Sequence, residues 1–214
     1  MYIKQPFLLD LLHVCEFIAL IVGVIKLHSL RNSYWKWFVF YLVYIFVYEI
    51  ISSHLSTNLE VSIRKYLALV QIPIEFIFFY WLYAWQSLKN KKLFWLISII
   101  YVLSLIIEYN LASKLFTFKS LNNTIGTFLL LILVFLEFIK QIKSDTIVNF
   151  KQDKMFYINI GVILFYIGNM PFFGWYLSIL NFPDIWNKYY IYFLVSNSIM
   201  YLLFAASFIW GKTK

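Results

Sequence analysis

The sequence predicts an all-α, polytopic integral membrane protein, an up-and-down bundle of seven transmembrane helices forming one domain over residues 1–214. Three observations predict it. Hydrophobic residues make up 63% of the chain and charged residues 13%, whereas a soluble domain is roughly half apolar and a quarter charged. The apolar residues gather into seven runs of about the 20 residues needed to cross a bilayer as a helix. The lysines concentrate between these runs.

The runs cover residues 7–27, 37–55, 66–88, 93–109, 121–142, 155–177 and 190–210. Each is continuously apolar, which favours helices over barrel strands of about ten residues with alternating character. The longest connections, around 143–154 and 178–189, are too short for a soluble domain, and short links make successive helices antiparallel. The first run carries Asp10, His13 and Glu16 and lacks a small-x-small cleavage site, so a retained helix is expected there and not a signal peptide.

Orientation follows from the basic residues. Twelve of the eighteen Lys and Arg fall on one side, in the links near Lys26–Lys36, Lys89–Lys92 and Lys140–Lys154 and at Lys212 and Lys214. Positive charge favours the cytoplasm, which places the N-terminus outside and the C-terminus inside. The net charge of +8 is thus read as topogenic anchoring, with no nucleic-acid partner. Arg is scarce beside Lys, and Ile, Phe, Tyr and Asn are abundant, as in AT-rich coding. A bacterial inner (plasma) membrane is the expected location.

An ionisable side chain inside a membrane helix is costly unless it meets a partner, the bundle interior or water, so the polar residues of each run mark where to look. In the first, Asp10, His13 and Glu16 recur every three residues and share a face with Gly23. The second carries Tyr41, Tyr44 and Tyr48, then Glu49, Ser52, Ser53 and His54. In the third, Gln71 and Glu75 are four apart with Pro73 between them. Proline frees a carbonyl in the preceding turn, and Glu75 beside it is the leading functional candidate.

The fourth run has Glu108 at its outer end, and the fifth pairs Glu137 with Lys140 three residues on, a helix-end pair. The sixth reads GNMPFFG, with Gly168, Asn169, Pro171 and Gly174 suggesting a kink, and the seventh has Ser196, Asn197 and Ser198 suited to bridging helices.

Glu-Phe-Ile occurs three times, at Glu16, Glu75 and Glu137. Glu16 to Glu49 and Glu75 to Glu108 are each 33 residues, as two repeated hairpins would give. Glu137 breaks the pattern because it stands near the cytoplasmic edge. Both an ancestral repeat and coincidence stay open.

By depth, most polar groups fall in the outer half, and the cytoplasmic half is expected to be more uniformly apolar and aromatic. The expected site is an outward-facing polar pocket of His13, Glu16, Glu49, Gln71, Glu75, Asn169 and Asn197. A metal would have to draw on His13, His54 and Asp10, a sparse donor set. There is no GxSxG, P-loop, CxxC or HExxH motif, and one cysteine, Cys15, precludes an internal disulfide.

These features point to a non-enzymatic binding, sensor-like or accessory subunit without a cofactor. It would contact the lipid bilayer, a small ligand or proton, and a membrane or cytoplasmic protein partner. A proton-coupled small-molecule transporter, an intramembrane metallohydrolase and a membrane accessory of a bacterial defence or secretion system are the alternatives.

Overall fold

The structure, a computed structural model, describes residues 5–58, 61–112, 120–144, 150–174 and 176–212. Side chains are described for these except 53–58, 61–68, 109–112, 120, 173, 176 and 177. The described residues are helical and contain no strand. The helices are α1 (Pro6–Lys26), α2 (Trp35–Asn58), α3 (Val61–Tyr80), α4 (Lys91–Ala112), α5 (Ser120–Lys143), α6 (Lys154–Gly174), the five-residue α7 (Tyr176–Leu180) and α8 (Pro183–Trp210). A π-helical segment, Trp81–Ser87, prolongs α3.

Five of these are long and apolar enough to cross a membrane: α1, α2 over Trp35–Ser52, α5, α6 and α8. The outward faces are apolar as well. Trp95, Leu96, Ile99, Leu103 and Ile106 on α4, and Phe7, Val14, Phe17 and Ile25 on α1, are all exposed. Continuous apolar surface on this scale requires a non-aqueous partner, and contact with a lipid bilayer satisfies it.

Each long helix packs on the next in sequence, and α8 packs extensively on both α6 and α1, so the ends of the chain close a ring. α3 also touches α5 across that ring. The middle is aromatic: Phe38, Phe79, Tyr80, Tyr101, Tyr166 and Phe204 are fully buried. Tyr41 of α2 stacks on Phe78 of α3 with centroids 4.1 Å apart, and Phe38 meets Phe204 of α8 edge-on at 5.1 Å. Offset and edge-on pairs of this kind each add about 0.5–1.5 kcal/mol beyond area burial. Gly161 lets α6 approach α8, since a Cβ there would lie 3.3 Å from Met200 Cα.

Two sequence expectations need correction. The connection placed at 178–189 is mostly helix, because α8 starts at Pro183 and not at 190. Proline at the first helical position needs no N–H partner and has φ preset for helix, and Asp184 complements the positive end of the dipole. Trp186, Asn187 and Lys188 masked this turn by being polar or bulky. The predicted third helix is regular only to Tyr80. Beyond it the Leu88 N–H reaches the Tyr83 carbonyl at 2.8 Å, a π-type bond. Lys89 then takes a left-handed φ of 54°, and Asn90 Oδ1 caps α4 by accepting the Leu93 N–H at 3.0 Å.

Candidate functional site

α2, α3, α5, α6 and α8 surround a cavity of about 190 Å³ lined by Glu49, Gln71, Glu75, Asn123, Tyr166, Asn197 and Tyr201 among apolar neighbours. Helical spacing explains the local arrangement: Gln71 and Glu75 are one turn apart on α3, and Asn197 and Tyr201 one turn apart on α8.

Two tyrosines fix two carboxylates. The Tyr166 hydroxyl of α6 donates to Glu75 Oε1. The Tyr201 hydroxyl of α8 hydrogen-bonds the Glu16 carboxylate of α1. Glu49 lies within electrostatic reach of Glu16, Glu75 and His13. Carboxylates from three helices therefore converge, and no lysine, arginine or histidine is among the described cavity-lining residues. Three buried oxygens around this group, Glu16 Oε2, Gln71 Oε1 and Asn197 Oδ1, have no hydrogen-bond partner among the described residues. All three are acceptors.

Of the seven residues expected to form the pocket, Glu49, Gln71, Glu75 and Asn197 line the cavity. Glu16 is buried one step behind it, at 4% exposure, behind Tyr201. His13 is half-buried beside Glu49. Asn169 is fully buried and turned to structural use: its Nδ2 donates to the Phe165 carbonyl at 2.7 Å and to Ser196 Oγ at 3.1 Å, tying α6 to α8. Asp10 is exposed and the His54 side chain lies outside the described residues. Among the described residues no group of three or more His, Cys, Asp or Glu is arranged to hold a metal.

Sequence reasoning missed Asn123, Tyr166 and Tyr201 as site residues. Asn123 was visible as an outer-half polar residue beside Asn122. The tyrosines carried no signal, being two of seventeen. The opposite end of the bundle corrects another expectation, because it is not uniformly apolar. There Glu137, 1% exposed, is held by Lys140, whose Nζ also donates to the Ser87 carbonyl and Oγ at 2.9 Å each. The helix-end pair is present, but its carboxylate is fully buried.

No family model, curated protein or solved structure matches the chain.

Proposed function

We propose that the chain is a single-domain, seven-helix membrane protein with its N-terminus outside and its C-terminus cytoplasmic. The five membrane-capable helices would be joined by α3, with its π continuation, and by α4. The lipid-compatible face of α4 supports this count. The cavity between α2, α3 and α8 would face outward and bind a small organic cation, with the protein acting as a non-enzymatic binding or sensor-like subunit of a larger membrane assembly.

One observation carries the cation reading: the unsatisfied groups at the cavity are all acceptors, and its two lining carboxylates have no lining cation. Both carboxylates are half-buried, and a charge drawn out of water without a counter-charge is costly; an ammonium ligand would supply both the charge and the N–H donors. The volume excludes drug-sized molecules, which need about 300 Å³ or more. Glu75 would be the principal counter-ion, positioned by Tyr166, with Glu49 beside it and Gln71 and Asn197 accepting hydrogen bonds.

Calorimetric titration of nanodisc-embedded protein with choline, ethanolamine and methylammonium tests this. Saturable binding of at least one is expected, weakened on the order of tenfold by Glu75→Gln. Absence of binding by all three would sink the reading.

A proton-coupled carrier is the second reading. It is favoured by the succession of Glu16, Tyr201, Glu49 and Glu75, in which carboxylates and hydroxyls could pass protons. Proteoliposomes separate the two. A carrier accumulates the same cation under a pH gradient, whereas a binding subunit does not.

A further inference from the structure

A second cavity, of about 560 Å³, opens at the other end of the bundle. It lies between the π-helical end of α3, the C-terminal turn of α5 and the start of α6. Four lysines line it, Lys89, Lys140, Lys154 and Lys212, against two carboxylates, Glu137 and Asp153.

Both carboxylates are already engaged. Glu137 has Lys140, and Asp153 Oδ1 accepts the Met155 N–H at 2.9 Å, capping α6. Lys140 is committed to Glu137 and Ser87, and Lys154, 4% exposed, donates to the Gly211 carbonyl at the end of α8. Lys89 and Lys212 remain. Both are exposed, and neither forms an ion pair among the described residues.

Their positions are fixed by the backbone. Lys89 is set by its own left-handed φ of 54°, two residues beyond the π segment, and Lys212 by its N–H bond to the Gln152 carbonyl at 2.9 Å. Gln141, 6% exposed, contributes a buried Nε2 with no partner among the described residues. Tyr34 adds a hydroxyl whose ionisation is pushed up by burial and by Glu137 and Asp153, so it stays a neutral donor.

The surplus here is of donors and positive charge, the reverse of the carboxylate cavity. A compact anion with several oxygens would satisfy it, since such a group accepts from lysine and amide donors together. The volume falls within the range of about 300–1,000 Å³ typical of small-molecule sites.

We infer that this cavity binds a phosphate-bearing ligand, held by Lys89, Lys212 and Gln141. The phosphate could belong to a lipid headgroup or to a free phosphorylated solute. The inference stands independently of the cation reading.

The test uses the full chain in phosphatidylcholine nanodiscs, with pyrophosphate as the soluble probe and phosphatidylglycerol as the lipid one. Pyrophosphate is expected to raise the unfolding temperature saturably, beyond sodium chloride at matched ionic strength. Lys89→Gln combined with Lys212→Gln is expected to weaken that response on the order of tenfold. Gln141→Leu, which leaves the charge unchanged, is expected to weaken it as well and so separates a built site from general charge attraction.

A pyrophosphate response lost when phosphatidylglycerol is included, with the lipid itself stabilising the wild type, assigns the site to a headgroup. A response that persists assigns it to a solute. No response to either probe, a response matched by sodium chloride, or one undiminished in both variants overturns the proposal.

Discussion

The Tyr166 hydroxyl of α6 donates to the Glu75 carboxylate of α3, joining two helices through residues 91 positions apart. Pro73 and Pro171 lie inside these same two helices, so both backbones are locally short of a donor near the contact. Tyr166 is buried and Glu75 half-buried, so removing one partner leaves the other with at most the desolvation cost of a buried group, about 1–3 kcal/mol. Tyr166→Phe is therefore expected to destabilise the protein by up to that amount. Glu75→Gln combined with Tyr166→Phe should fall short of the sum of the single changes. Equilibrium unfolding in detergent checks both, and strict additivity would show that the two residues are not coupled.

The pairing of Glu137 with Lys140 makes a stronger prediction. Lys140 is 46% exposed along its side chain while Glu137 is 1% exposed, so only the carboxylate is trapped. Lys140→Met strands a buried charge, which costs about 3–5 kcal/mol. Lys140→Met with Glu137→Gln should recover much of that loss. If the single variant unfolds at the wild-type denaturant concentration, water reaches Glu137 and the pair is not structural.

How far these arrangements were legible from sequence depends on the residue. The helix positions followed from apolar runs, so the run at residues 7–27 appears as Pro6–Lys26 and that at 121–142 as Ser120–Lys143. Gln71, Glu75 and Asn197 were found because a polar side chain stands out in an apolar helix. Tyr166 was invisible for the opposite reason: tyrosine is amphipathic and common here, and only the three-dimensional neighbour, Glu75, distinguishes it. Asn169 does not line the cavity, because the same isolation that marks a candidate site also marks an interhelical tie, here to Ser196. The π segment has no local signature, since its apolar pattern up to Ser87 is that of an α-helix.

Small residues at close contacts give a packing prediction. A Cβ on Gly126 of α5 would come within 2.7–2.9 Å of the Phe76 ring of α3, and the Gly126 carbonyl accepts the Tyr80 hydroxyl at 2.9 Å. Phe76 is buried among Tyr80, Tyr101 and Tyr166 and has little room to retreat. Gly126→Ala should destabilise by about 1–3 kcal/mol, the usual cost of overpacking. Phe76→Leu in the same chain should relieve part of it. An unfolding midpoint unmoved by Gly126→Ala would mean that α3 and α5 are looser than this contact requires.

Membrane topology can be read with single cysteines because the native thiol is quiet. Cys15 is 4% exposed and hydrogen-bonded to Ser198, so it should react poorly with a membrane-impermeant maleimide. Ser29, Lys92 and Asp184 are exposed outside the membrane-capable stretches or at their edges. Between Lys92 and Asp184 lie the long helices α4, α5 and α6 and the five-residue α7, which is too short to cross; if α4 crosses with α5 and α6, as proposed, the odd number puts the two residues on opposite sides. Asp184→Cys is expected to label in intact cells, and Lys92→Cys only after permeabilisation. Two helices, α2 and α3, separate Ser29 from Lys92, so Ser29→Cys should share the protected side. Lys92 and Asp184 labelling together would remove α4 from the membrane, and Ser29 and Lys92 labelling apart would remove α3. If all three cysteines label in the reverse pattern, the count of seven stands and the distribution of lysines has misreported the orientation.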